Sequence, residues 1–146
     1  MTQGQRGKTA EGKVKDLLVQ RALRTNFAWY RPPDARAGSF LPTTCDFFAM
    51  HNGKLHLLEV KEVDHEYRLP HKNLEAAQVG RMLTWVHAGA EAWILVHHTK
   101  NRNTWRYFPL HSLPARTGGS WDFSELQTYD TASFILREIF DANDSQ

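Results

Sequence analysis

A single cysteine, Cys45, is present, which excludes an intramolecular disulfide and any cysteine-based zinc cluster. No apolar run approaches the ~20 residues of a membrane-spanning helix, and no signal-peptide pattern opens the chain. A soluble, cytoplasmic protein that keeps clear of the membrane is therefore expected. Internal repeats and low-complexity segments are absent. Charge of one sign is also scarce: 18 Lys and Arg against 16 Asp and Glu leave a net charge of +2. That balance permits nucleic-acid binding without requiring it. What is there is 146 residues with 23% charged and 12% aromatic side chains, the composition of a folded chain with one ordinary core. One domain over residues 1–146 is expected.

The most informative stretch is 45–61, CDFFAMHNGKLHLLEVK. Two strand-like runs, 46–51 and 54–61, flank Asn52-Gly53. Asn-Gly between alternating apolar residues is a strong hairpin signal, because a type I′ turn needs φ > 0 at both central positions. A two-residue loop fixes the register. It sets His51 opposite Lys54, Met50 opposite Leu55, Phe48 opposite Leu57 and Asp46 opposite Glu59. Side chains alternate across a strand, so Lys61 shares the face of Glu59.

Asp46, Glu59 and Lys61 thus gather at the open end of the hairpin. Two carboxylates about 5 Å apart repel by roughly 3 kcal/mol at an effective dielectric of 20. Lys61 offsets part of this, and a hard divalent cation held by both acids reverses its sign. The pattern reads as a Mg²⁺ or Mn²⁺ site with a lysine beside it, or as a surface ion triad on a hairpin end.

Residues 1–8 carry Arg6 and Lys8 without an acid and read as a flexible basic arm. A helix begins at Thr9, a capping residue, with Val14, Leu17, Leu18 and Ala22 on its apolar stripe. Glu11 shares that stripe. It is either a carboxylate aimed at a partner near the core edge or a first-turn acid complementing the helix dipole. Residues 27–30 form a short strand. Prolines and a glycine make 31–42 a loop carrying Arg31 and Arg36. After the hairpin and a polar stretch, 62–69, a helix is expected over roughly 72–87, ended by Gly89. Val79, Met82, Leu83 and Val86 line it, with Gln78 at the margin. Strands follow at 92–98 and 105–108, then a loop at 116–120, a helix over 131–140 and a frayed acidic tail, 141–146.

Both hairpin faces are apolar: Phe48, Met50, Leu55 and Leu57 on one, Phe47, Ala49, Leu58 and Val60 on the other. A sheet covered on both sides by helices follows, a three-layer α/β fold. Of the eight histidines, His97 and His98 point to opposite faces of a strand. His51 and His56 share the face of Leu58. All four read as structural, and the five tryptophans as core or dimer interface.

With Glu11, Asp46, Glu59-Val60-Lys61 and Gln78 in that order, the chain resembles the PD-(D/E)xK nuclease superfamily, and within it the Holliday-junction resolvases of the RecU and archaeal Hjc types. RGKTAEGKV (6–14) is similar to the opening of their first helix, and TTCDFFAMHNGKLHLLEVKE (43–62) to their core hairpin. LPHKNLEAAQVGRM (69–82) is close to the RecU-type segment after the catalytic lysine. The resemblance implies a restriction-endonuclease-like fold with a central mixed sheet flanked by helices. It implies metal binding by Asp46 and Glu59 with the Val60 carbonyl, and a water-positioning role for Lys61. Glu11 would belong to the outer metal shell or a second metal site, and Gln78 would lie beside the active site.

A Mg²⁺-dependent homodimer that nicks four-way DNA junctions is implied, with Mn²⁺ as a substitute ion. Arg6, Lys8, Arg31, Arg36, His71 and Lys72 are the candidate phosphate contacts; Lys72 is favoured by its place at a helix start, and each is equally well read as a solvated surface group. The RecU-type group carries a long stalk before the catalytic aspartate, for which residues 30–42 are too few. A nuclease of linear or damaged duplex therefore stays open beside the resolvase, as does a catalytically silent DNA-binding module.

Overall fold

The computed structural model describes residues 9–33, 43–100 and 103–142. The basic arm with Arg6 and Lys8, the Arg36 segment and the last four residues lie outside them. The elements run α1 (Ala10–Arg21), β1 (Phe27–Tyr30), β2 (Phe47–His51), β3 (Lys54–Val63), β4 (Arg68–Pro70), a 3₁₀ turn (His71–Asn73) and α2 (Ala76–His87). Then come β5 (Glu91–His98), β6 (Thr104–Pro109), β7 (Ala115–Thr117), β8 (Ser120–Asp122) and α3 (Ala132–Phe140).

Five strands form a mixed sheet in the order β1-β2-β3-β5-β6. Only the central β3/β5 pair is parallel, and α2 makes the crossover that a parallel pair requires. The hairpin has the expected register, His51 opposite Lys54 through Phe48 opposite Leu57, around Asn52 (φ 51°) and Gly53 (φ 78°). One face of the sheet packs Phe47, Ala49, Leu58 and Val60 against Val14 and Leu18 of α1 and Ile135, Leu136 and Ile139 of α3. On the other face Leu57, Ile94 and Val96 meet Val79 and Met82 of α2. This is the three-layer α/β architecture, and each fully buried Leu or Phe in it contributes about 1.5–3 kcal/mol of transfer free energy.

Four expectations need correcting. Helix α2 starts at Ala76, four residues later than 72, because residues 71–73 turn as a separate 3₁₀ segment closed by Leu74 N–H to His71 O at 3.1 Å and Leu74 is extended (φ −143°, ψ 81°). The stretch 116–120 is the tip of a β7/β8 hairpin rather than a loop; Gly118 takes its positive φ of 59°. With β4 this hairpin makes a second, three-stranded sheet that brings Leu69 and Trp121 onto the α2-side core. In α1 the apolar stripe ends in Arg21, not Ala22: Ala22 is exposed, whereas the Arg21 side chain is 10% exposed and its guanidinium lies 5.1 Å over the Phe140 ring. Asp141 is held rather than frayed, because Arg21 donates to both its carboxylate oxygens at 2.9 and 2.8 Å.

Candidate active site

The site forms where the hairpin ladder stops. The last β2/β3 pair is Phe47 opposite Leu58, so Asp46 and Glu59 do not pair as strand residues. Their side chains complete the ladder instead. The Asp46 amide donates to Glu59 Oε1 at 3.0 Å, and the Val60 amide donates to Asp46 Oδ2 at 2.7 Å. Each carboxylate satisfies a backbone N–H that would otherwise be buried without an acceptor. The arrangement keeps both acids on the same junction of strands.

The rest of the cluster converges on Glu59, whose side chain is only 6% exposed. Lys61 Nζ lies 2.9 Å from Glu59 Oε2, and Gln78 Nε2 donates to the same oxygen at 2.5 Å. Lys61 also reaches Gln78 Oε1 at 3.5 Å. Gln78 stands half-buried beside Val79 in the first turn of α2, so the later start of that helix leaves it in place. Burial first, and then the Glu59 charge, push the Asp46 carboxyl up to about 7; Glu11 adds to the rise, while the Val60 amide and Lys61 oppose it. The neighbouring Cys45 thiol is pushed up to about 12, by burial and then by the same two acids. Its Sγ donates to Phe47 O at 3.3 Å, so it is a packed, unreactive thiol.

Glu11 sits on the first turn of α1, with Oε1 2.6 Å from Arg31 Nη2, an ion pair rather than a well-directed hydrogen bond. Its charge acts on Asp46, so the structure brings Glu11, Asp46, Glu59, Val60, Lys61 and Gln78 into one electrostatic neighbourhood. Arg31 neutralises Glu11 at the margin of this cluster. The two remaining basic candidates lie in the 3₁₀ turn: Lys72 is exposed, and the His71 ring packs edge-on against Trp121 at 4.9 Å. With α2 beginning at Ala76, Lys72 loses the helix-terminus argument.

Among the described residues no group of three or more His, Cys, Asp and Glu side chains is arranged to hold a metal ion. The acid set is smaller, namely two adjacent carboxylates, with a lysine ammonium already drawn to Glu59 Oε2. Two adjacent carboxylates with one ammonium beside them, the Glu59 side chain nearly buried, leave negative charge of the kind a bound cation balances. The residues fit a hard divalent ion bound through one or two carboxylates that keeps most of its waters.

Sequence reasoning passed over Glu62. It follows Lys61, points to the opposite face of β3 by strand alternation, and accepts from the Ala10 amide at 3.1 Å. Only its chain position beside the motif could have marked it.

A mixed sheet between helices, with an acid pair and lysine at a broken ladder, defines a nuclease of the PD-(D/E)xK class. The family model described as archaeal Holliday junction resolvase (Hjc) matches residues 2–146, and the chain belongs to that family. No curated protein sequence matches it. Among solved structures it is similar to Hjc from Archaeoglobus fulgidus, a Holliday junction resolvase from an archaeal hyperthermophile, solved at 1.6 Å. The identity is 29% over 86% of this chain and 91% of that one, with a TM-score of 0.51. The family is one of endonucleases acting on branched DNA, and it implies use of a divalent metal.

Proposed function

We propose that this chain is a Mg²⁺-dependent Holliday-junction resolvase that nicks four-way DNA junctions symmetrically as a homodimer in the cytoplasm. The observation that carries the catalytic part is the convergence of Asp46, Glu59, Lys61 and Gln78 on one oxygen-rich corner, with both acids held by backbone amides. A binding module gains nothing from so repulsive a cluster.

Asp46, Glu59 and the Val60 carbonyl would hold the ion, and Glu11 would extend the shell outward. A bound divalent ion neutralises a phosphate oxygen and lowers the pKa of a water. The chain's own residues do the rest. Glu59 and Gln78 fix the Lys61 ammonium at hydrogen-bond distance, so its charge is in place before negative charge develops on the phosphate. The Gln78 carboxamide is oriented in turn by donating to Glu59 and accepting from Lys61. Lys72 and His71 in the 3₁₀ turn, and Arg6, Lys8 and Arg36 outside the described residues, are the proposed phosphate contacts; Arg31 serves Glu11 first.

Symmetric nicking needs two active sites, hence a second copy of the chain. An open apolar face supports this. Tyr30 on β1 and Met50 on β2 are 60% and 43% exposed, and Trp85 on α2 is 40% exposed while its ring packs on Phe48 at 5.2 Å. Exposed aromatics of this kind suit an interface core.

The test is cleavage of a four-way junction and of linear duplex, each with Mg²⁺ or EDTA, beside Asp46→Asn. Paired nicks near the branch point, lost in EDTA and in the variant while junction binding survives, are expected. Equal cutting of linear duplex would remove the resolvase assignment, and binding without cutting in any divalent ion would leave a silent module.

A further inference from the structure

Helix α1 is anchored at its start by two side chains. One is local: Thr9 Oγ1 accepts from the Gly12 amide at 3.1 Å. The other comes from the strand that carries the catalytic motif: Glu62 Oε1 accepts from the Ala10 amide at 3.1 Å, across 52 residues of chain. Ala10 is the first residue of α1, and the next residue is Glu11. The first amides of a helix have no intrahelical acceptor, and an ionised carboxylate there makes a charge-assisted bond that also meets the positive end of the helix dipole.

Alternation along β3 separates two tasks. Glu59 and Lys61 face α2 and the metal corner, whereas Glu62 faces α1. On that face its register neighbour on β5 is His97, with Nδ1 3.6 Å from Glu62 Oε1. The His97 ring is stacked on Trp105 at 4.5 Å and 11°. Behind Glu62 stands this buried aromatic pair, while the Glu62 side chain itself is 46% exposed. Arg31, following β1, grips the Glu11 carboxylate from the other side.

We propose that Glu62 is a positioning residue for the metal corner: by gripping the Ala10 amide it fixes where Glu11 stands relative to Asp46. This rests on the reading that Glu11 belongs to the metal shell. The same strand then supplies one inner acid, the lysine, and the tether that locates the outer acid, so the sheet and α1 cannot shift apart without loosening the site. Partners that orient a ligand carboxylate commonly change metal affinity when removed.

The experiment measures Mn²⁺ binding to the full chain by titration calorimetry, with amide hydrogen exchange at Ala10 read in the metal-free protein. Glu62→Ala should weaken Mn²⁺ binding by about tenfold or more and speed exchange at Ala10. Glu62→Gln keeps an oxygen acceptor and should restore both to within about threefold. Glu11→Gln should weaken Mn²⁺ binding by itself, and adding Glu62→Ala to it should cause no further loss. Circular dichroism spectra matching the wild type establish folding; if Glu62→Ala fails that control, the comparison of Glu62→Gln with Glu62→Met replaces it. A shift in Glu11→Gln with none in Glu62→Ala would overturn the positioning role alone. No shift in Glu11→Gln would overturn the reading beneath it, and the proposal with it. An equal further loss in the double variant would show that Glu62 acts by another route and also overturn it.

Discussion

Gln78 on helix α2 and Glu59 on strand β3 meet at 2.5 Å, and Lys61 reaches the same Glu59 oxygen at 2.9 Å. One carboxylate oxygen thus takes two donors from different elements. Gln78→Ala removes a neutral donor and leaves both charges in place. It should lower kcat by about 10- to 100-fold, the size expected when a partner that orients a metal-binding carboxylate is lost. KM for the junction should stay unchanged. Single-turnover cleavage at saturating metal checks this; a change confined to KM would place Gln78 in binding instead.

Asp46→Asn tests the acid pair through stability as well as activity. The Asp46 carboxyl, with an ordinary value of 3.8, is raised to about 7 in the folded chain, by burial first and then by Glu59. A raised carboxyl favours the folded state at low pH, where it is protonated in both states. That contribution is lost as pH rises from about 4 through 7, because the unfolded chain releases its proton first. In the metal-free wild type the loss amounts to about 2–4 kcal/mol by pH 8. The variant cannot ionise there and should be the more stable protein at pH 8, with the difference closing at pH 4. Added Mg²⁺ should raise the wild-type melting temperature at pH 8 and leave the variant's unchanged. Urea melts at the two pH values and thermal melts with and without Mg²⁺ measure both effects.

The buried histidines work in the opposite direction. His56 and His98 are each lowered to about 4, in both cases chiefly by burial. His56 Nδ1 accepts from Trp93 Nε1 at 3.1 Å and so must carry a lone pair, a bond that protonation breaks. His98 Nδ1 lies 2.9 Å from the His65 carbonyl, so that nitrogen carries the proton in the neutral ring. Lowered histidines stabilise the fold above their unfolded value of 6.5, and the benefit is lost as pH falls from 6.5 to 4. Between pH 4 and 6.5 the two histidines outweigh the single carboxyl, so the metal-free wild type should gain stability up to about 6.5 and lose it above, where Asp46 acts alone. Asp46→Asn should show only the acid limb, a difference that a pH series of denaturation midpoints resolves.

Much of this was written in the sequence because its causes are local. Asn52-Gly53 sets the hairpin register, which delivers Asp46 and Glu59 to the end of the ladder, where the Asp46 and Val60 amides hold them together. Other features depend on partners far along the chain. Strands β7 and β8 have three residues each, too few for a period of two to appear, and they exist because Trp121 packs on the α2-side core. Residues 72 and 73 read as the start of a helix, yet the His71 amide beside them is taken by Gly119 O at 2.9 Å, a contact to the distant β7/β8 hairpin. Glu62 carries no local signal, because its partner, the Ala10 amide, lies 52 residues away along the chain.

Arg21 and Asp141 show the same limit and give the last prediction. An arginine in the last turn of α1 is ordinary on dipole grounds, but here it is buried against Phe140 and bonded through both nitrogens to Asp141, with Arg24 adding a contact at 3.3 Å. The pair joins the C-terminal ends of α1 and α3, on the sheet face opposite α2. The Arg21 hydrogen bonds, followed by its charge, hold the Asp141 carboxyl below its ordinary 3.8. Its stabilisation is therefore present above that value and disappears as pH falls below it. Asp141→Asn leaves a nearly buried guanidinium without its counter-charge and should cost about 1–3 kcal/mol. That corresponds to a fall of about 2–12 °C in melting temperature for a chain of this size. Cleavage should be unaffected at temperatures where the variant is folded, because the pair touches none of the residues around Asp46. Thermal melts at pH 7, with junction cleavage assayed well below the transition, separate a stability effect from an effect on the site.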